Sequence, residues 1–565
     1  MQQKKWEVAP EMPAAQAEQF PALPPLLLQV LYNRDLKEPS EVEGFMSGTW
    51  QEPDLYLLPD MERAVDILIR AIRRREKIAV YGDFDADGVT ATALLVRALA
   101  GVGADVIPYI PRRVDEGYGV NLDALRRLYG EQVRLVVTVD CGIRAVQEID
   151  QARRGLEFII TDHHSVGREL PFASAVIDPK RADSRYPFPQ LSGVGVAYKL
   201  AQALLREAGA CKMPVHVEER SLLDLVAIGT VADLAPLTGE NRHLVQLGLE
   251  VVNEARREGV RALLRVAGVR PGAVSASSIG FVLGPRLNAA GRLGDATLSY
   301  DLLVSADPVQ ADRLAARLNE QNRRRRALTE QAYQLAVQLA LAREGAPALL
   351  FAAHKTFMAG VVGLVAGRLT EAYYRPSVVV EQGDEISKGS CRSIEEFDIT
   401  AALDECSDLL VRHGGHAAAA GFRVRNEQLD GLVHRLSEIA ERELGDRILA
   451  PTLSIDADVP LSDMNWEMMG WLEQLEPCGI KNPTPLFLSR GVPVAEARAV
   501  GSEGKHLKLT LATEAEAQDA IAFRLGHRVD EVGQRMDLVY YLEVNEWNGS
   551  RSLQLNVQDF RPVTP

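Results

Sequence analysis

Between residues 61 and 180, short apolar runs alternate with stretches in which apolar residues return every three or four positions. The runs KIAVYGD, ADVIPYIP, RLVVTVDCG, LEFIITDHH and SAVIDPK are rich in Ile and Val, and each is predicted to be a buried strand. Strands separated by helical stretches predict βαβ units and a mostly parallel sheet, an α/β fold. From 190 to 300 the pattern is mainly helical, with the glycine-rich pieces LSGVGVAYKL and SIGFVLGPRLNAAGRL. A long helical pattern over 307–343 carries NEQNRRRRALTEQ. A second α/β unit begins near PALLFAAH and runs through RPSVVVEQ and SKGSCRSIEEFDI to RHGGHAAAAGFRV. Residues 451–565 turn to short alternating strands such as KHLKLTL, DAIAFRL, MDLVYYLEVNEW and SLQLNVQDF, the pattern of a small antiparallel barrel. The predicted division is an N-terminal segment 1–60, a first α/β domain 61–306, a connecting helix 307–343, a second α/β domain 344–450 and a barrel 451–565.

A length of 565 residues agrees with several cores rather than one. There is no uninterrupted apolar run long enough for a transmembrane helix, and MQQKKWEVAPEMPAAQAEQFP has no apolar centre of the kind a signal peptide needs. Five scattered cysteines with no CxxC pair argue against a disulfide framework and a thiolate zinc site, so the cytoplasm is the expected compartment. The net charge of −15 favours no partner. Nucleic-acid binders usually show a basic balance, yet an enzyme that holds divalent cations with carboxylates can be acidic overall and basic in one groove.

The chemistry begins at VYGDFDADGVTATALL, where Asp83, Asp85 and Asp87 stand at the junction of a strand and a helix. Open α/β sheets place ligands at that edge. Helix capping accounts for one aspartate but not for three, and carboxylates this close repel one another unless a positive charge lies between them. Later strand ends add Asp140, then Asp162, His163 and His164, while Asp233 falls in a loop after LLDLVAIGTVA. Such an Asp/His set suits Mn²⁺ or Mg²⁺ better than structural zinc. One shared aspartate would fix two ions about 4 Å apart, the arrangement that hydrolyses phosphate esters.

DFDADG, TVDCG, TDHH and GTVAD, in this order, resemble the DHH phosphoesterase superfamily. GPRLNAAGRL, GGHAAAAGF and PCGIKNPTPLF are similar to its RecJ family, exonucleases that degrade single-stranded DNA from the 5′ end. The resemblance covers the chain from about residue 55 onward. It implies a parallel-sheet DHH domain, a connecting helix, a DHH-associated domain and an OB-like barrel. It further implies that Asp85, Asp87, Asp140, His163 and Asp233 ligate two Mn²⁺ or Mg²⁺ ions, with Asp140 between them. His164 would contact the scissile phosphate, or else hydrogen-bond a ligand. Asp224 also precedes GTVAD and is read as part of a helix face. Many relatives carry a histidine where this chain has Tyr81, a poor ligand for which Asp83 could compensate, unless Asp83 is simply an outward turn residue.

For the substrate, Gly414, Gly415 and His416 of GGHAAAAGF are read either as a phosphate-receiving turn before a helix, joined by Arg392 and Ser393 of GSCRS, or as a tight glycine turn with a surface arginine, and the resemblance implies the first. Arg286, Asn288 and Arg292 are expected to position the strand, with helix capping or an interdomain contact as the other reading. In the barrel, 10 Lys/Arg against 17 Asp/Glu speak against nucleic-acid binding, although Phe523, Tyr541 and Trp547 could stack bases, with Lys505, Lys508 and Arg524 beside them. The run Arg323–Arg326 is expected to be a solvated helix face, with a phosphate backbone as the other reading. The resulting expectation is a 5′-to-3′ exonuclease on single-stranded DNA that makes nucleoside 5′-monophosphates in recombination and repair. Its implied partners are a single-strand binding protein and a helicase. Two alternatives stay open: a DHH phosphodiesterase for short oligonucleotides or cyclic dinucleotides, and a non-catalytic DNA-binding scaffold.

Overall fold

The computed structural model describes residues 4–112, 116, 117, 119–342, 347–512, 517–547 and 549–563. They fall into two compact units. One holds 52–236 and 240–449; the other holds 4–51, 237–239 and the chain from 450 onward.

The first unit contains both α/β layers. Its first sheet has five parallel strands: β1 (Lys77–Gly82), β2 (Val106–Tyr109), β3 (Val133–Val139), β4 (Glu157–Thr161) and β5 (Ala175–Ile177), in the order β2-β1-β3-β4-β5. These are the five runs read from the sequence. Ile78, Ala79 and Val80 in β1, and Leu135, Val136 and Val137 in β3, are fully buried, as continuous apolar runs in a sheet covered on both faces should be. Gly82 pairs with Val139, and Val139 with Thr161, so β1, β3 and β4 end level with one another. Chain order reverses direction beside β1, which opens a crevice at the carboxyl ends of β1 and β3.

Three helices pack together against this edge: α1 (Ala86–Gly101), α2 (Gly193–Ala210) and α3 (Leu223–Ala232). The long helix α4 (Pro308–Leu341) starts with Asp307, whose carboxylate accepts from Val309 N at 3.0 Å, and with Pro308 in its first turn. It leads to the second sheet: β6 (Leu350–His354), β7 (Ser377–Glu381), β8 (Ile386–Arg392), β9 (Leu410–His416) and β10 (Ala419–Arg425), in the order β9-β10-β8-β7-β6. The piece RHGGHAAAAGFRV is therefore a β-hairpin, not a turn leading into a helix. Ala420, Phe422 and Val424 explain why: they alternate into the core of this layer, a period of two that the Ala/Gly composition conceals.

In the second unit, Phe487–Val500, His506–Leu511, Gln518–Ala522, Arg535–Trp547 and Ser550–Pro562 form a closed five-stranded barrel. The first strand pairs with both the second and the fourth, and the third runs parallel to the fifth. Residues 4–51, read from sequence as a separate segment, complete this unit. Leu27, Val30 and Leu31 of the helix Pro25–Asn33 are fully buried in the core that contains Phe487, Leu507 and Phe560, and Lys5–Val8 pairs in parallel with Thr452–Ile455. Among the described residues no helix is long and apolar enough to cross a membrane.

Candidate metal centre

Asp85 is the N-cap of α1: one carboxylate oxygen accepts from Asp87 N at 3.0 Å and Gly88 N at 3.1 Å, which leaves the other for a further partner. Asp87, in the first turn, is wholly buried. It accepts from Gly193 N at 2.8 Å and Val194 N at 2.9 Å, the first amides of α2, whose positive end favours the charge. Asp140 follows β3 with a left-handed φ of 58°, a conformation that costs a non-glycine residue energy and clusters at functional sites. Asp233 is the C-cap of α3. The neighbouring backbones come so close that side chains are excluded. A Cβ on Gly193 would lie 2.5 Å from Asp140 Oδ1, and one on Gly229 would lie 2.8 Å from Asp87 Oδ1.

His163 and His164 follow β4. His163 Nε2 is 3.1 Å from Asp140 Oδ1, 3.9 Å from Asp233 Oδ2 and 4.0 Å from Asp87 Oδ2. Asp162, between strand and histidines, accepts from Ile143 N, His163 N and His164 N and meets His164 Nδ1 at 2.8 Å; it shapes the turn and orients His164. Potential ligand atoms lie within 4.8 Å of one another in three groups: Asp87–His163–Asp233, Asp140–His163–His164, and Asp83–Asp85–Asp140. Asp140 joins two of them. Asp83, whose outward turn position was one expectation, is buried instead. Tyr81 faces elsewhere: its hydroxyl donates to Gly119 O and accepts from Asn121 Nδ2, both at 3.1 Å, and its ring stacks on Tyr109.

The electrostatics ask for positive charge. Burial and the neighbouring Asp85 push Asp87 up to about 7. Burial and the surrounding aspartates raise Asp140 and Asp233 well above the carboxylate range. Burial, helped by the charge of His164, takes His163 down to about 3 and keeps it neutral, as a ligand must be. Burial also works against charge on His164, but the hydrogen bond and charge of Asp162 outweigh it and raise that imidazole. Asp140 Oδ1 and His163 Nε2 are buried without a hydrogen-bond partner. An all-oxygen and imidazole donor set with unsatisfied atoms facing one another fits a hard divalent cation.

The other predicted residues divide. Asn288 Oδ1 accepts from Ala86 N at 2.7 Å and so holds the turn that carries Asp85 and Asp87, while Arg286 turns to Asn319 and Val282 O. Arg292 Nη1 donates to Gly360 O at 3.3 Å, joining the helix Gly284–Leu293 to the helix Ala359–Tyr373 of the second layer. Arg392, Ala419 and His416 stand in one row of neighbouring strands, so their side chains share a face. Arg392 Nη1 reaches Ser390 Oγ at 3.4 Å, and both line the first turns of Ala359–Tyr373, where a Cβ on Gly363 would meet them at 3.3 and 3.0 Å. Gly414, in register with Ser390 through Gly421, shares that face; Gly415 lies against Ala420 and has no room for a side chain. Ser393 is occupied, its hydroxyl donating to Phe397 O at 2.6 Å, and Ser390 takes its place beside Arg392. Asp224 forms a buried pair with Arg257. Sequence reading missed the Gly193 and Val194 amides, signalled only by the cap LSGVG, and Lys180, whose ammonium donates to the carbonyl of His163. In the barrel Phe523 is exposed against His506, Tyr541 packs into a small core, Lys508 pairs with Asp519, and Lys505 and Arg524 line a hollow with His527. The Trp547 side chain lies outside the described residues.

Known proteins share this arrangement. The DHH family N-terminal domain matches residues 77–230, the DHHA1 domain 346–442 and the RecJ OB domain 455–559. The single-stranded-DNA-specific exonuclease RecJ of Dickeya dadantii is 36% identical over 98% of both chains. The chain belongs to the RecJ family. The RecJ of Bacillus subtilis is 38% identical over 90% of this chain, which spans 64% of that protein's length. A crystal structure of RecJ from Thermus thermophilus in complex with Mn²⁺ superposes with a TM-score of 0.84 at 31% identity, covering 99% of this chain and 80% of that one. A second, with Mg²⁺, gives 0.79 at 30% identity. The RecJ fold thus includes the parallel-sheet DHH domain and the closed barrel described above.

Proposed function

We propose that this chain is a metal-dependent 5′-to-3′ exonuclease that hydrolyses single-stranded DNA to nucleoside 5′-monophosphates. The observation that carries the reading is the convergence of Asp85, Asp87, Asp140, Asp233 and His163 on one crevice, with two buried donor atoms unsatisfied. The names of its RecJ relatives support the substrate and the exonucleolytic activity. Asp87, His163 and Asp233 would hold one Mn²⁺ or Mg²⁺ ion, Asp85 with Asp83 a second, and Asp140 both. When bound, such ions supply Lewis acidity and an activated water.

The protein's own groups then set what is cut. Arg392, Ser390 and the amides at the start of Ala359–Tyr373 receive the terminal 5′-phosphate, and His416 of the same row adds a donor. His164, whose protonation Asp162 favours, donates a hydrogen bond to the scissile phosphate, and Lys180 adds positive charge beside it. Water oxygen joins phosphorus as the bond to O3′ breaks, O3′ takes up a proton, and the released nucleotide keeps its 5′-phosphate. Work beside a single-strand binding protein and a helicase, in recombination and repair in the cytoplasm, completes the reading.

The test is a long single strand labelled at its 5′ end, incubated with Mn²⁺, with an Asp140→Ala control. Label released at once as mononucleotide, only with Asp140 intact, is the expected result. A ladder of shortening labelled strands would reverse the polarity, and no cleavage would favour the scaffold.

A further inference from the structure

The edge of the first sheet opposite the metal centre carries a groove of about 370 Å³ that has no part in this chemistry. One wall is a single face of the helix Leu122–Gly130: Leu122, Leu125, Arg126 and Tyr129 stand at i, i+3, i+4 and i+7. The other wall is Ala152, Arg154 and Leu156, where the helix Val146–Ala152 gives way to β4. Leu125 and Leu156 belong to the core of this layer and give the groove an apolar floor. Tyr129 is 52% exposed; its ring lies against Gly155, where a Cβ would meet it at 2.8 Å, and the Arg134 guanidinium is 5.8 Å from its centroid. Next along the chain, Arg153 covers the exposed ring of Phe172 at 4.4 Å. Both charged residues that line the groove are arginines. Arg126 reaches Asp123 at 2.7 Å in an exposed pair of the kind that contributes little, and among the described residues Arg154 forms no ion pair at all. Over 122–134 and 150–156 the chain has five arginines against three carboxylates, in a protein of net charge −15.

We propose that this groove docks an extended acidic segment of a partner protein, with an apolar side chain seated between Leu125, Tyr129 and Leu156 and carboxylates on Arg126 and Arg154. An apolar floor flanked by guanidinium groups is complementary to a peptide that carries acids on either side of an apolar anchor. A phosphate backbone would leave that floor uncovered. The rim of Tyr129, Arg153 and Phe172 has the aromatic and arginine composition of protein interfaces. The groove sits at the amino end of β4 and the metal centre at its carboxyl end, about 20 Å away at about 3.3 Å per residue. A partner held there leaves the crevice open and raises the local concentration of the enzyme wherever that partner is bound. Docking at this groove is independent of the nuclease reading.

The probe is a labelled peptide of about ten residues in which aspartate and glycine alternate around a central phenylalanine, followed by anisotropy in EDTA from about 50 to 300 mM salt. Matched peptides replace the phenylalanine with glycine, or the aspartates with asparagine. The wild type should bind the first peptide saturably and each matched peptide at least about tenfold more weakly. R126A/R154A should weaken the first peptide about tenfold and flatten its salt dependence, and Y129A should weaken it about fivefold. Both arginines are exposed, so the double variant should melt as the wild type does. Its cleavage of a naked single strand with Mn²⁺ should also be unchanged. No saturable binding below about 1 mM, equal binding of the three peptides, or wild-type affinity in R126A/R154A would overturn the proposal. So would weaker binding of a single strand by R126A/R154A, which would make the surface a nucleic-acid contact, or a self-association abolished by that variant, which would make it an interface between copies of the chain. If the wild type cuts no strand, the nuclease reading fails, while peptide binding still decides the groove.

Discussion

Gly193→Ala is the sharpest perturbation the metal centre offers, because the structure supplies its own control two residues away. At Gly193 the new methyl carbon would lie 2.5 Å from Asp140 Oδ1, 2.6 Å from its Cβ and 2.7 Å from its Cγ. Asp140 cannot retreat easily, being 2% exposed and set in left-handed backbone. Gly193 cannot retreat either without stretching its 2.8 Å bond to Asp87. Overpacking of this kind costs about 1–3 kcal/mol, and the gain in helix propensity offsets at most about 1. For a cooperative unit of roughly 400 residues, that lowers the melting temperature by only about 1–3 °C. Activity should suffer far more, since a displacement of about 1 Å in a reacting constellation costs on the order of 100-fold. At Gly195 the nearest atoms to a new methyl are Ser192 Oγ at 3.2 Å and Leu191 Cδ2 at 3.4 Å, contacts that a small shift relieves. We expect G193A to lose about 100-fold in kcat with Mn²⁺ and G195A to stay within about threefold of the wild type. If G193A keeps wild-type turnover, or G195A falls as far, then the crowding of Gly193 against Asp140 does not position the ligand.

Three further outcomes follow from the same geometry. Asp87 moves from 3.8 to about 7 on folding, so at about 1.4 kcal/mol per unit its ionised form costs the metal-free fold about 4 kcal/mol. A carboxyl raised on folding removes stability as pH climbs, about 2.7 kcal/mol of it between about pH 5 and 8, so the gap in melting temperature between Mn²⁺-loaded and EDTA-treated protein should widen by about 3 °C over that range; a gap independent of pH would contradict this. Asp162→Asn removes the carboxylate that raises the His164 imidazole, so the alkaline fall of kcat should move to lower pH, and an unshifted profile would remove His164 from the reaction. Leu31→Ala should cost the barrel unit about 2–5 kcal/mol in denaturant melts, whereas a loss below about 1 would mean that the N-terminal helix is not part of that core.

The candidate centre was legible because its carboxylates and imidazoles stand at the ends of apolar runs, where a period-two or continuous pattern stops and Asp or His begins. DFDADG, TVDCG and TDHH need no tertiary knowledge to be placed on one sheet edge. What stayed hidden depends on partners distant in sequence. The hairpin of HGGHAAAAGF reads locally as turn and helix because Ala and Gly carry little strand propensity, and only pairing with Ile386–Arg392 makes it a strand. Ser393 was expected beside Arg392, but β8 ends at Arg392 and the Ser393 hydroxyl turns to Phe397 O, while alternation along the strand brings Ser390 to the face of Arg392. The arginines of α4 were expected to be solvated, as Arg323, Arg324 and Arg326 are, but no local pattern could show that Arg286 would reach Asn319 of the same helix.

The barrel unit's composition from residues before Gln51 and after Leu449 also sets a timetable for synthesis. Leu27, Val30 and Leu31 leave the ribosome with no core to enter, and about 400 residues must be added before the barrel strands begin to appear. At about 5–20 residues per second that wait is about 20–80 s. For that interval the chain displays an apolar helix face that a holding chaperone could recognise. A truncation that ends before residue 450 makes the display permanent, so removing the barrel cleanly also requires removing its N-terminal helices.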